Sequence, residues 1–397
     1  MNLRIKPMRG RREAVTVRNG YYTFSRAYPA GKLGTVGRAA RRRGRKRTAL
    51  HTALCFLLFC SVFCCAFFAA AFGLRLSEKE PTEAVFAAQN GSDVLHDGIQ
   101  ALYMPTNVLQ NKKSLKKFIR KLRKKDCNAV VIDFKASDGR LLYASEEQLA
   151  LLGKCSIYNN GTVRNAIRQF TNADIHVIAR VCCFEDPRIA ALDESLAVKY
   201  LDTEVPWLDR HTEDGGKPWL NPYSDGARAY LQAIVAEVQK FGVNGIILTS
   251  VCFPTGENVE TAGFPGENGN LLGRNELLRE FITSIKEAMT DRCFLLVAQE
   301  ADAVLAGDLT RYDGDLLNSS ADGIFVDTRV RSGGIEIDKR SKYAEFRAYL
   351  SDLERRIGDG QAMLLLLDAD DAPDKMLRAL KKDGFTDHVR YDSGGDY

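Results

Sequence analysis

From Gly98 onward, short apolar runs alternate with amphipathic stretches as far as the C-terminus. Eight runs read as strands: 98–105, 128–135, 175–184, 245–253, 293–301, 323–330, 362–370 and 387–392. Helices are predicted between them. In 224–241 the residues Ala227, Tyr230, Leu231, Ile234, Val235 and Val238 recur at the spacing of one helix face. Leu115, Phe118, Ile119 and Leu122 show that spacing earlier, and Leu277, Leu278, Phe281, Ile282 and Ile285 show it later. The stretch 342–357 ends at Gly358, a residue suited to the position after a helix. Weaker periodicity marks 160–174, 307–319 and 373–383. Strands and helices in this alternation, over about 300 residues, predict a parallel (β/α)8 TIM-like barrel. A doubly wound sheet would want a glycine-rich phosphate loop after the first strand, where the chain reads MPTN.

Upstream the pattern changes. Between Arg47 and Arg75 lie twenty-seven residues without formal charge. At ~1.5 Å per residue, 49–74 covers a ~30 Å hydrocarbon core and is predicted to be a single transmembrane helix. A cleaved signal peptide competes, since Ala69, Ala70 and Ala71 resemble a cleavage site, but the length of the run and the charged tail before it favour an uncleaved anchor. Residues 1–48 carry fifteen Lys or Arg against the single acid Glu13, which places them in the cytoplasm. That tail is expected to be disordered and drawn to anionic inner-leaflet lipid; no nucleic-acid motif accompanies it. Residues 75–97 read as a juxtamembrane linker and 98–397 as an extracellular domain at the cell membrane. The charge supports the division. Of 56 basic and 51 acidic residues, 41 and 50 belong to residues 49–397, a balance of −9.

Six cysteines fall in the exported part, namely Cys127, Cys155, Cys182, Cys183, Cys252 and Cys293. A domain of this size builds its core without staples, so most are expected as buried thiols, with Cys182 or Cys183 able to reach Cys252 if their strands are neighbours. The five scattered His lack metal-ligand spacing, and no cofactor motif is present.

Active sites of such barrels lie at the C-terminal ends of the strands. There the sequence places Asp133, Lys135, Arg180, Glu185, Asp186, Thr249, Ser250, Glu300, Asp327, Asp368 and Asp370. Glycoside hydrolysis needs two carboxyl groups, one protonated and one ionised. Acids that merely cap helices would give the same list. Both tryptophans, Trp207 and Trp219, fall in one connection of nearly forty residues, 185–223, where they either stack on sugar faces or cover the loop's own core.

The segments GIQALYMP, NAVVIDFKASDG, IHVIARVCCFEDP and KPWLNPYSDGARAYLQAIVAEVQKFGVNGIILTSVCFP, in that order, resemble the putative glycoside hydrolase domain family of bacterial exported proteins, which is assigned a TIM barrel. The resemblance runs from about 98 to 254. Family segments read like VIDVKDDxG, ARIVxFKDP, WxDPY and QFDYVRFP. Asp133, Lys135 and Gly139 match the first, Arg180, Phe184, Asp186 and Pro187 the second, and Trp219, Pro222 and Tyr223 the third. In the fourth, Thr249, Ser250 and Cys252 replace Asp, Tyr and Arg, and the Asp of WxDPY is Asn221. A hydroxyl or amide cannot take a carboxylate's role in proton transfer. The resemblance therefore implies chemistry that is lost or relocated.

Two functions follow. One is a membrane-anchored extracellular hydrolase of a cell-envelope or environmental polysaccharide, with Glu300 and Asp327 as acid and base and Asp133 as a third carboxylate. Lys135, Arg180, Asp186, Trp207, Trp219 and Tyr223 would then bind substrate. The other is a catalytically inactive barrel that binds glycan through Trp207, Trp219 and Tyr223 or serves as an envelope scaffold.

Overall fold

The computed structural model describes residues 14–18, 21–25, 91–307, 311–314, 316–317, 319–329, 340–358, 361–368 and 374–391. The apolar run 49–74 lies outside them, as does most of the basic tail. Among the described residues no helix is long and apolar enough to cross a membrane. The chain divides into two compact units, Met1–Phe86 and Ala87–Tyr397.

In the first unit, Ala14–Arg18 and Tyr21–Ser25 pair as an antiparallel hairpin, Ala14 opposite Ser25. Alternating Val, Thr, Tyr and Phe around Asn19-Gly20 account for it, because that dipeptide favours two-residue hairpin turns. The expectation of a tail without elements missed this signal.

The second unit is a closed barrel of eight strands, each parallel to both neighbours. In chain order they are β1 (Gln100–Met104), β2 (Ala129–Lys135), β3 (His176–Cys182), β4 (Gly245–Thr249), β5 (Phe294–Glu300), β6 (Gly323–Asp327), β7 (Ala362–Asp368) and β8 (His388–Tyr391). Each falls inside a run predicted from sequence. The helices are α1 (Gly91–His96), α2 (Lys112–Lys124), α3 (Gln148–Leu152), α4 (Asn160–Thr171), α5 (Pro187–Leu192), α6 (Asp225–Gln239), α7 (Arg274–Glu287), α8 (Ala301–Ala306), α9 (Arg340–Ile357) and α10 (Asp374–Lys382). All six apolar residues predicted on the face of α6 are buried.

Two expectations shift. No described residue of 307–319 is helical; the connection after β5 uses the short α8 instead, which stops at Gly307 in the left-handed conformation. The linker is also shorter than 75–97. Its last residues form α1, whose Val94 joins Ile99, Ala101, Ile178, Phe294 and Phe325 in the apolar cluster inside the barrel. The Gly91 amide donates to the Asp291 carbonyl at 2.9 Å, and a Cβ on Gly91 would strike the backbone of Phe294. Helix α1 thus closes the N-terminal end of the barrel, leaving the C-terminal end as its mouth.

His388 on β8 is buried, with Nδ1 3.0 Å from the Thr386 carbonyl. Burial lowers its pKa from 6.5 to about 4. Below 6.5 the unfolded chain takes up a proton that the folded barrel refuses, so this group's contribution to stability falls as pH drops from about 6.5 to about 4. The loss is on the order of 3 kcal/mol. Urea titrations across that range should show a stability difference between His388→Asn and the parent that shrinks as the pH falls.

Candidate active site

Strand alternation turns Ala101 and Tyr103 of β1, Val131 and Asp133 of β2, Ile178 and Arg180 of β3, and Val389 and Tyr391 of β8 toward the barrel axis. The lower member of each pair is core. The upper members meet at the mouth. Arg180 forms a two-pronged ion pair with Asp133, through Nε to Oδ1 and through Nη2 to Oδ2 at 2.9 Å. The Tyr103 hydroxyl donates to Asp133 Oδ2 and accepts from Arg180 Nη2 at 3.2 Å. The Arg180 guanidinium lies 5.0 Å from the centre of the Tyr103 ring. Burial, reinforced by the Asp133 charge, pushes the Tyr103 phenol far above its ordinary value, so it stays a donor. Burial opposes the Arg180 charge, but Asp133 and Tyr103 outweigh it and raise the guanidinium.

Tyr391 continues this floor, its ring 5.0 Å from that of Tyr103. Arg329 stacks on the other ring at 4.9 Å and grips Asp327, with Nη2 to Oδ2 at 2.6 Å. The two half-buried tyrosines are 288 residues apart, and only closure of β8 onto β1 brings them together. Their sequence signal was an aromatic two residues beyond a small apolar residue at the C-terminal end of a strand.

Glu300 and Asp327 are register neighbours on β5 and β6. Each is paired with an arginine, Glu300 with Arg311 and Asp327 with Arg329. Asp133 stands four strands from Asp327 around the barrel.

Lys135 and Asp186 are not mouth residues. Both side chains are fully buried, Lys135 Nζ lying 2.8 Å from Asp186 Oδ2 and donating at 2.8 Å to the Cys182 carbonyl. A bulge between Asp133 and Lys135 breaks the register of β2 against β3 where the two acquire different roles. Asp186 also accepts from the Tyr230 hydroxyl at 3.2 Å and caps α5 through the Ile189 amide at 3.0 Å. Gly139, at φ +78°, passes so close to Asp186 that a Cβ would collide with its carboxylate. Three residues shared with the family segments thus form one structural clamp.

Trp207, Trp219 and Tyr223 are likewise core. Trp207 is fully buried and its indole N–H faces the Asn258 carbonyl at 3.4 Å, while Trp219 reaches Asp209 at 3.4 Å. The long connection is a folded layer. Lys199–Tyr200 pairs with Ala262–Gly263 from the loop after β4, and bridges join Ala197 to Leu220 and Leu208 to Pro218. Tyr223 packs on Phe253 at 5.7 Å. Trp207→Phe should lower stability by about 1–2 kcal/mol while leaving glycan affinity unchanged, measured by thermal unfolding and a binding isotherm.

Between β3 and β4 lies a strand-end carboxyl, Glu185, to which the sequence assigned no catalytic role. Glu185 is half-buried, and its Oε2 accepts from the Ser250 hydroxyl at 3.1 Å. Burial raises its pKa, against downward pulls from Ser250 and Lys217. Ser250 has φ +53°, an unfavourable conformation for a non-glycine residue and one often tied to a functional site. Its hydroxyl also receives Cys182 Sγ at 3.3 Å. The signal for Glu185 was present in sequence: the family segment ARIVxFKDP has lysine where this chain has Glu185, beside a strand four that has lost its acid. Cys182, Cys183 and Cys252 are buried and free, so no disulfide joins these strands. Among the described residues no cluster of His, Cys, Asp and Glu could hold a metal.

No curated protein matches the chain. Several solved structures are similar to it. One is a hypothetical protein from Ruminiclostridium thermocellum ATCC 27405, 25% identical over 49% of this chain and 96% of that one, with a TM-score of 0.43. A cycloisomaltooligosaccharide glucanotransferase from Paenibacillus sp. is 14% identical, over 68% of this chain and 38% of that one, with a TM-score of 0.44. A GH20 exo-β-N-acetylglucosaminidase from Vibrio harveyi is 10% identical, over 68% of this chain and 41% of that one, with a TM-score of 0.43. The chain therefore spans less than half the length of these two carbohydrate enzymes. The profile of the family described as "Putative glycosyl hydrolase domain" matches residues 101–299, from β1 to the end of β5. With half its length under that profile and an eight-stranded barrel around it, this chain belongs to the putative glycosyl hydrolase domain family.

Proposed function

We propose that the chain is a membrane-anchored extracellular glycoside hydrolase that binds a cell-envelope or environmental polysaccharide in the barrel mouth. Glu185 is its general acid. The observation that carries this reading is a half-buried carboxyl with a raised pKa, held by Ser250 at the C-terminal end of β3. A carboxyl that holds its proton more tightly than an ordinary one can pass it to the glycosidic oxygen as the C–O bond breaks. The second requirement is another carboxyl group, and Asp133 supplies it, fixed by Arg180 and Tyr103 on the neighbouring strands. It would take the proton of an attacking water or itself attack the anomeric carbon. Tyr103 and Tyr391 offer ring faces for sugar stacking, the role first given to Trp207 and Trp219. The run 49–74 would anchor the barrel, with the basic tail inside against anionic lipid.

A receptor without turnover is the second reading. It is favoured by Thr249 and Ser250 standing where the family segment has Asp and Tyr, and by the arginine partners of Glu300 and Asp327. The full-length chain, presented with a panel of envelope and plant polysaccharides, separates the two. Binding weakened by Tyr103→Ala and by Tyr391→Ala supports the mouth as the site, and release of reducing ends makes it a hydrolase. Glycan binding indifferent to both substitutions would sink the mouth.

A further inference from the structure

Helix α2 carries a surface that neither the fold nor the mouth uses. Residues 112–125 hold nine Lys or Arg and no acid. Without those nine, residues 49–397 have 32 basic residues against 50 acidic ones, so the cluster runs against the character of its own domain. Lys112, Lys113, Lys116, Arg120, Arg123 and Lys124 are exposed and form no ion pair among the described residues. Like charges four residues apart, such as Lys116 and Arg120, disfavour a helix. Adjacent α4 adds Arg164 and Arg168, again with no acid, and packs on α2 through an edge contact of Phe118 with Phe170.

Helix α2 begins eight residues after the end of β1, so its N-terminus lies beside the mouth. From there it runs down the barrel flank for roughly 20 Å at ~1.5 Å per residue. We infer that α2 is a docking surface for a linear anionic glycan carrying carboxylate groups along its length, leading that polymer to the mouth. This deepens the glycan reading of the mouth and rests on it. Charge complementarity argues for a polyanion. The apolar side argues against a lipid surface: helices that lie on membranes insert Trp, Phe or Leu, whereas Leu115, Phe118 and Leu122 are all spent on the core.

Lysine acetylation footprinting of the full-length chain, read by mass spectrometry, tests this site by site and keeps the basic tail separate. Polygalacturonate should slow acetylation of Lys112, Lys116 and Lys124 by about fivefold or more, and added salt should relieve the protection. Lys154 and Lys381, exposed elsewhere on the barrel, should be unaffected. Neutral dextran should protect none of them. Equal protection at all lysines, or none at α2, overturns the inference. So does protection of α2 by phosphatidylglycerol vesicles but not by polygalacturonate, which would make it a lipid surface. Retention on immobilised polygalacturonate by an Arg120→Gln/Arg123→Gln variant provides a second readout, expected to fall with the unfolding midpoint unchanged. If α2 is protected while no polysaccharide contacts the mouth, the docking surface stands and the reading of the mouth fails.

Discussion

Asp186→Ala should destabilise the barrel by about 3–5 kcal/mol, the cost of leaving one partner of a buried ion pair alone. The Lys135 ammonium would keep only the Cys182 carbonyl in a site with no access to water. Burial disfavours the Lys135 charge and Asp186 restores it, raising the group above its ordinary value. The same change removes the cap of α5, worth another ~1 kcal/mol, and the partner of the Tyr230 hydroxyl. Lys135→Met/Asp186→Ala should recover part of the loss, because no unpaired charge then remains. Chemical denaturation of the three proteins checks this. A double variant less stable than Asp186→Ala would mean that the clamp works through contacts other than its charge pair.

Glu185→Gln should lower glycan turnover by about 10²–10⁴-fold with binding largely kept, since an amide fills the same space and cannot donate the proton. Burial raises the Glu185 pKa, so the protonated form extends to higher pH than for an ordinary carboxyl. The rate should therefore fall as pH rises through that pKa, and the basic limb should vanish in Glu185→Gln. A stability effect accompanies it with the matching sign. The folded state holds the proton more tightly than the unfolded chain, so Glu185's contribution is complete at low pH and declines as pH rises through the folded pKa. A pH–rate profile whose basic limb survives Glu185→Gln would remove Glu185 from the mechanism.

The barrel was legible because its strands are apolar runs and its helices have one-sided patterns, as the buried face of α6 shows residue by residue. Chemistry was harder to read. A polar residue at a strand end looks the same whether it faces the mouth or lies buried under a loop, and the decision rests on a partner far away in sequence. Lys135 is settled by Asp186, 51 positions on, and Tyr103 by Tyr391, on the strand that closes the ring. Tryptophans in a long loop suggested sugar stacking, but a connection of that length has its own core to fill, and Trp207 fills it. Asp133 and Arg180 were placed at the rim from sequence alone, and they meet there.

The central claim is that the mouth turns glycan over with Glu185 rather than with the carboxylates of β5 and β6. The measurement that tests it most directly is reducing-end release by the full-length chain, by Glu185→Gln and by Glu300→Gln on one bound polysaccharide. The account predicts release by the parent, near-complete loss in Glu185→Gln and a rate close to the parent's in Glu300→Gln. Release undiminished in Glu185→Gln, or absent from all three despite binding, would contradict it.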